Sequence, residues 1–195
     1  MIKVLFLDRD GIINRVVKGR DGSYDSPQKV DDVSLVDGID EIIKWANTNG
    51  FQVFEISNQP GVAKGKMSMV NSENIEKRIN TLLMEKGVRI DKKYICYHHP
   101  KGIIPELTVD CNCRKPKPGL LIQASKEFGI DLKRSVFLGD RDWDVIAGKS
   151  VGCKTIIFLF KDDSPEKIKF AMDSDADYKV WSLSEALKII KRILK

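Results

Sequence analysis

The stretch Val4-Leu5-Phe6-Leu7-Asp8-Arg9-Asp10-Gly11 decides how the rest of the chain is read. Four consecutive large apolar residues are too few for a helix and read as a strand buried on both faces. Such strands belong to parallel sheets covered by helices. Two carboxylates separated by one residue follow, where a strand opens into a turn and both can converge on one side. Gly11 permits the tight bend.

Outward from this segment the pattern alternates. Ile39, Ile42, Ile43 and Ala46 share one face of a helix over 38–49, with Gly50 as its stop, and 51–56 is the next strand. A helix over 74–86 carries Ile75, Ile79, Leu82 and Leu83, and a strand at 94–97 precedes a cysteine-rich loop. Leu120, Leu121, Ala124 and Phe128 line another helix, followed by a strand at 136–138, a helix from Asp142 to Gly152 and a strand at 155–160. A short helix after Pro165 and an edge strand at 178–180 come next. Ser182 and Glu185 form a capping box for a last helix with Ala186, Leu187, Ile190 and Leu194 inward. Strand, helix, strand, helix predicts an α/β fold, a Rossmann-like three-layer sandwich around a mostly parallel central sheet. It forms one domain over 1–195 with no internal repeat or low-complexity linker.

Composition agrees. With 42% hydrophobic residues, 31% charged residues and only 7 prolines in 195 positions, the chain has a core and is neither disordered nor collagen-like. No run of 18 apolar residues exists, and the first residues meet charge at Lys3 without the apolar stretch of a signal peptide, so a cytoplasmic location is expected. Lysine and arginine exceed aspartate and glutamate by 33 − 28 = +5, and four basic residues fall in 188–195. Amphipathic helices often carry lysines on the wet face, so the excess favours a soluble anionic metabolite over nucleic acid or a membrane. Nothing argues for more than a monomer.

Active sites of parallel sheets lie beyond the carboxyl ends of the strands. Asp8 and Asp10 follow the first strand, Ser57-Asn58-Gln59-Pro60-Gly61 the second, and Gly139-Asp140-Arg141-Asp142-Trp143-Asp144 the strand at 136–138. Between them lies the basic segment Arg114-Lys115-Pro116-Lys117-Pro118. Carboxylates gathered from two strand ends make a hard-cation site suited to magnesium, which prefers oxygen ligands, waters and substrate phosphate. A lysine and a hydroxyl nearby neutralise phosphate oxygens. Cys96, Cys111 and Cys113 lie close in sequence to both histidines, His98 and His99, while Cys153 stands apart, a grouping a metal site explains better than two disulfides.

In this order, Asp8-Arg9-Asp10-Gly11, Ser57-Asn58-Gln59, Lys115 and Gly139-Asp140 with Asp144 resemble the four motifs of the haloacid dehalogenase superfamily of phosphatases. More narrowly, Cys96-Tyr97-His98-His99-Pro100, Asp110 to Pro116 and Gly119 resemble the heptose-1,7-bisphosphate phosphatases and the related histidinol-phosphatase domains. The resemblance implies a haloacid dehalogenase-like fold and a magnesium-dependent phosphomonoester hydrolase. Asp8 is the nucleophile that forms an aspartyl-phosphate, and Asp10 protonates the leaving oxygen and later takes a proton from water. It implies magnesium held by Asp8, the Asp10 carbonyl and Asp140, phosphoryl contacts from Ser57 and Lys115, and Asp144 in support. An aspartate near its ordinary pKa of about 3.9 needs no activating base, whereas Asp10 needs a moderately raised one.

The resemblance further implies a structural zinc held by Cys96, His98, Cys111 and Cys113, with His98 chosen over His99. Three thiolates and an imidazole make a closed tetrahedral set, which staples the loop that leads into Arg114 and Lys115. Asn58, Gln59, Lys64 and Arg114 are expected on the substrate, with help from the loop 15–30 (Arg20, Asp21, Gly22, Tyr24, Ser26) in the absence of a large cap domain. Ile12 departs from the family pattern, which has threonine there, so a hydroxyl bond that organises the turn is missing. The expected substrate is a small phosphorylated sugar or metabolite, with removal of the 7-phosphate of heptose 1,7-bisphosphate as the first choice. A histidinol-phosphate phosphatase is the runner-up, and a polynucleotide 3'-phosphatase is more distant.

Overall fold

In a computed structural model, which describes residues 2–18, 24–161 and 163–195, the strand predicted at the start is β1 (Val4–Leu7), buried throughout. Two minimal strands follow, β2 (Val17–Lys18) and β3 (Tyr24–Asp25), which form a small antiparallel hairpin. Next come α1 (Ile39–Thr48), β4 (Gln52–Asn58), α2 (Met69–Glu85), β5 (Lys92–Cys96) and α3 (Gly119–Phe128). The chain continues with β6 (Val136–Gly139), α4 (Asp142–Ser150), β7 (Lys154–Phe158), α5 (Pro165–Asp173), β8 (Tyr178–Val180) and α6 (Leu183–Leu194).

Six strands form one sheet in the order β5-β4-β1-β6-β7-β8, and every neighbouring pair is parallel. Successive side chains of β1 point to opposite faces. Leu5 and Leu7 join the core under α1, α2 and α6, and Val4 and Phe6 join the core under α3 and α4. Phe6 meets Phe54 and Phe137 edge-on at 6.1 and 6.4 Å, which locks the three central strands together on that face. The order reverses between β1 and β6, so their carboxyl ends splay apart and open the crevice in which parallel sheets place their sites.

Several boundaries differ from the sequence reading. Helix α2 begins five residues earlier than the apolar pattern suggests, because Ser68 Oγ accepts from the Asn71 amide and caps an additional, mostly exposed turn. Strand β4 runs on through Ser57 and Asn58, which pair with Ile95 and Cys96 of β5. Only half of the predicted capping box on α6 is closed. Ser182 Oγ accepts from the Glu185 amide, but the Glu185 carboxylate accepts from Trp181 instead of Ser182. Where a cap domain would be inserted, between β1 and α1, the described residues contain the β2–β3 hairpin and one 3-10 turn at Val30–Asp32. Arg20, Asp21 and Gly22 lie outside the described residues.

Candidate active site

At the end of β1 the chain is turned by its own backbone. The Arg9 carbonyl accepts from the amides of Ile12, Ile13 and Asn14 at 3.3, 2.8 and 3.0 Å, and the Asp8 carboxylate accepts from the Arg9 amide at 2.7 Å. Ile12 is fully buried in the core, so the turn expected to lack a hydroxyl is held by these backbone bonds and by apolar packing. Gly11 has φ +92°, and a Cβ there would stand 2.6 Å from Asp140 Oδ2. Only glycine lets the β1 and β6 turns approach this closely.

That approach gathers the carboxylates of Asp8, Asp140 and Asp144, all buried, within 4.8 Å of one another. Asp142 is exposed at the start of α4, a solvated acid outside the cluster. Lys115 Nζ reaches into the cluster and lies 2.7 Å from Asp8 Oδ1, 2.6 Å from Asp144 Oδ1 and 2.8 Å from the Ile56 carbonyl. Lys167 of α5, which sequence reasoning missed, lies 2.8 Å from Asp140 Oδ2. Lys115 and Lys167, with the Arg141 guanidinium 3.5 Å from Asp140 Oδ2, face these carboxylates, and Asp140 Oδ1 is buried with no hydrogen-bond partner among the described residues. This donor set fits a divalent cation.

Two expectations about acidity are corrected here. Asp8 does not sit near its ordinary pKa. Burial first, and then the Asp144 charge, push it well up, and Lys115 only partly offsets them. Asp10 is not raised but lowered. Burial pushes it up, yet the Arg9 guanidinium at 3.6 Å, the Asn14 amide at 2.9 Å and the Gln59 amide at 2.6 Å together outweigh that. Lys115 stays charged although burial opposes this, because Asp144 and Asp8 raise its pKa.

Asn58 borders the cleft, where it was expected on the substrate, whereas Gln59 does not line it; both also serve neighbouring residues. The Asn58 side chain donates to the Lys115 carbonyl and accepts from the Lys115 amide, both at 3.0 Å, which clamps the lysine's backbone. Gln59 is buried, and its amide donates to Asp10 and to Ser57 Oγ at 2.8 Å. Lys64 and Arg114 do line the cleft, a hollow of about 230 Å³ that Asp8, Asp10, Asp140, Arg141 and Trp143 also line. Trp143, for which core packing and shielding of the helix start were both open, is at the surface with the Arg141 guanidinium 5.5 Å from its ring. Tyr24 and Ser26 of the hairpin also border the hollow.

On the other side of Lys115, the loop after β5 brings Cys96, His98, Cys111 and Cys113 together. Sulfur–sulfur distances are 3.5, 3.1 and 3.1 Å, and His98 Nδ1 lies 3.3 Å from Cys113 Sγ and 3.8 Å from Cys96 Sγ. A tetrahedral set with metal–sulfur bonds of about 2.3 Å has sulfur–sulfur edges of about 3.8 Å, so these four atoms stand within the span of one ion's ligands. His99 is turned to the Lys101 amide, which separates the two histidines where spacing did not. Burial raises the Cys96 thiol, whereas bonds from Cys113 and Cys96 overcome burial at Cys111 and lower it to about 7. Cys153 is buried in the core apart from this group.

Comparison with known proteins places these observations. The HAD-hydrolase-like family matches residues 112–186. A D-glycero-alpha-D-manno-heptose-1,7-bisphosphate 7-phosphatase of Photorhabdus laumondii is 38% identical over 164 residues, which cover 84% of this chain and 85% of that protein. A D-glycero-beta-D-manno-heptose-1,7-bisphosphate 7-phosphatase of Pasteurella multocida is 35% identical, with 98% of each chain covered. A D,D-heptose 1,7-bisphosphate phosphatase from B. bronchiseptica, solved with magnesium and phosphate, shares the fold at a TM-score of 0.79 and 21% identity, over 98% of this chain and 99% of that one.

Proposed function

We propose a reaction for this chain from the premise that it belongs to the haloacid dehalogenase-like phosphatases, in the family of the heptose-1,7-bisphosphate 7-phosphatases: it removes the 7-phosphate of D-glycero-D-manno-heptose 1,7-bisphosphate. The observation that carries the mechanism is the meeting of Asp8 with Lys115 at 2.7 Å beside Asp140, whose Oδ1 is unpartnered among the described residues. Asp8 attacks phosphorus while Lys115 and the Ser57 hydroxyl hold the phosphoryl oxygens. Asp10 is ionised in the substrate-free site, and the dianionic phosphate arriving beside it raises its pKa toward the value an acid needs. It takes up a proton from solvent as the substrate binds, gives it to the leaving oxygen, and recovers one from the water that hydrolyses the aspartyl-phosphate. Lys64 and Arg114 on the cleft wall suit the second phosphate or the sugar hydroxyls.

Asp8, the Asp10 carbonyl and Asp140 would hold magnesium, with Asp144 within reach. When bound, the ion would offset the carboxylate charge that adds to burial in raising the Asp8 pKa and that repels the phosphate. Cys96, His98, Cys111 and Cys113 would hold a structural zinc, whose four protein ligands leave no position for catalysis. The loop it closes leads directly into Arg114 and Lys115.

Phosphate release from heptose 1,7-bisphosphate in both anomeric forms, compared with histidinol phosphate, tests this reading. One heptose anomer should be turned over at least about tenfold more efficiently than histidinol phosphate, a margin a few extra substrate contacts supply. The reverse order would make the chain a histidinol-phosphate phosphatase. Asp8→Asn should abolish turnover with the fold intact, and substantial remaining activity would sink the nucleophile.

A further inference from the structure

From Asp10 a line of buried and partly buried charges runs beneath the cleft, and the reaction above does not use the rest of it. Arg9, between the two acids of the first turn, is 1% exposed. Its Nη2 lies 3.6 Å from Asp10 Oδ2, and its Nη1 lies 3.2 Å from Glu76 Oε2 on α2. Glu76 also pairs with Lys93 of β5, whose ammonium lies 2.6 Å from Asn80 Oδ1 and 3.6 Å from Glu55 Oε2. The signs alternate from Asp10 through Arg9, Glu76 and Lys93 to Glu55.

A guanidinium withdrawn from water this completely requires a carboxylate partner. Arg9 Nε has no partner among the described residues, so there the side chain depends on the contacts at its two terminal nitrogens. Of those partners, Glu76 is anchored on a 17-residue helix and gripped by Lys93 from the adjacent strand, whereas Asp10 sits on a turn. Glu76 therefore sets where the fork of Arg9 points. Asp8 is held separately by Lys115, from another part of the chain.

We infer that Glu76 is a positioning residue for the acid–base half of the reaction: it aims Arg9, and Arg9 braces the carboxylate of Asp10, which Gln59 and Asn14 also hold at 2.6 and 2.9 Å, while Asp8 keeps its place without Glu76. The inference rests on the roles proposed above for Asp8 and Asp10. In the first step the bond from an Asp8 oxygen to phosphorus forms, the bond from phosphorus to the sugar oxygen breaks, and the proton of Asp10 goes to that oxygen. In the second, a water oxygen bonds to phosphorus, its proton goes to Asp10, and the bond to Asp8 breaks. A displaced Asp10 therefore hinders expulsion of a sugar alkoxide, which needs the proton, but not of 4-nitrophenolate, which leaves without one.

The test is Glu76→Gln, which keeps the size of the side chain and removes its charge. On a sugar phosphate, kcat/KM should fall by about tenfold to a hundredfold, part of what a placed acid contributes. On 4-nitrophenyl phosphate, kcat/KM should stay within about threefold of the parent, because this ratio ends at the first irreversible step. The slowed hydrolysis should appear there as a burst of nitrophenolate of about one equivalent. Equal losses on both substrates, or no loss in a folded variant, would overturn the inference. Should Glu76→Gln fail to fold, Glu76→Asp, charged but too short to span Arg9 and Lys93, is read by the same ratio. An active Asp8→Asn protein would instead overturn the underlying mechanism, whatever the Glu76 variants do.

Discussion

Replacing Lys115 by methionine keeps a side chain of similar length and removes one charge from the centre of the site, an ammonium that lies 5.5 Å from the Phe137 ring. The two ion pairs at 2.7 and 2.6 Å are each about 6 kcal/mol of gross attraction at an effective dielectric of 20. Most of that is cancelled by the cost of taking the ammonium and the carboxylates out of water, so the pairs themselves contribute little net stability. What the substitution exposes is different: Asp8 and Asp144 remain buried, close together and uncompensated. Leaving a buried charge without its partner costs about 3–5 kcal/mol. In a chelator at pH 7, urea unfolding should show a loss of that size, and thermal unfolding a midpoint lower by about 10 °C for a chain of this length. Added magnesium should recover more stability in the variant than in the parent, since the ion binds the folded carboxylates and not the unfolded chain. Adding Asp144→Asn should return at least about 1 kcal/mol, because one of the stranded charges is gone. A loss below about 1 kcal/mol in chelator, with no recovery from Asp144→Asn, would refute the claim that Lys115 holds these carboxylates together.

Three further outcomes follow from other parts of the molecule. The purified chain should carry about one tightly held zinc that survives removal of magnesium. Cys113→Ser should lose that zinc, open the loop 97–118 to proteolysis and lower kcat, and a metal-free parent would defeat the assignment. A Cβ on Gly119 would stand 2.2 Å from the Asn112 carbonyl, so Gly119→Ala should cost about 1–3 kcal/mol in urea unfolding and loosen zinc retention. Asp177 accepts from the Thr155 amide at 2.9 Å and pairs with Lys154 at 3.1 Å; these and its other partners outweigh burial and hold its pKa below the usual carboxylate value. A depressed folded pKa stabilises above the unfolded value of about 3.9 and ceases to do so as pH falls through the folded one. Asp177→Ala should therefore be about 1–3 kcal/mol less stable at pH 7, with the difference shrinking below pH about 4 in denaturant titrations.

Much of the fold was legible because each element announces itself locally. The four apolar residues of β1, the 3.6-residue spacing on α1 and the glycines after helices need no distant information to be read. The start of α2 escaped because its first turn is exposed, and its signal is a serine cap instead of an apolar face. The candidate site was legible for a related reason. Parallel strands deliver whatever follows them to one edge, so Asp8 and Asp140 could be placed together from their positions after strands alone. Lys167 was not legible, since α5 carries no motif and only packing brings its ammonium to Asp140.

The order of residues by itself determined the chemistry on offer: an Asp-x-Asp turn, a lysine after a cysteine pair, a thiolate–imidazole set, and a sheet that gathers them. Only the tertiary structure decided how those groups behave. Asp8 is raised by burial and a carboxylate from α4, Asp10 is lowered mainly by the neighbouring Arg9, and Asn58 and Gln59 are engaged by Lys115, Asp10 and Ser57. The physical reason is that acidity and hydrogen-bond partnership depend on the charges and dipoles within a few ångströms. In this fold most of those around Asp8 come from segments far away along the chain.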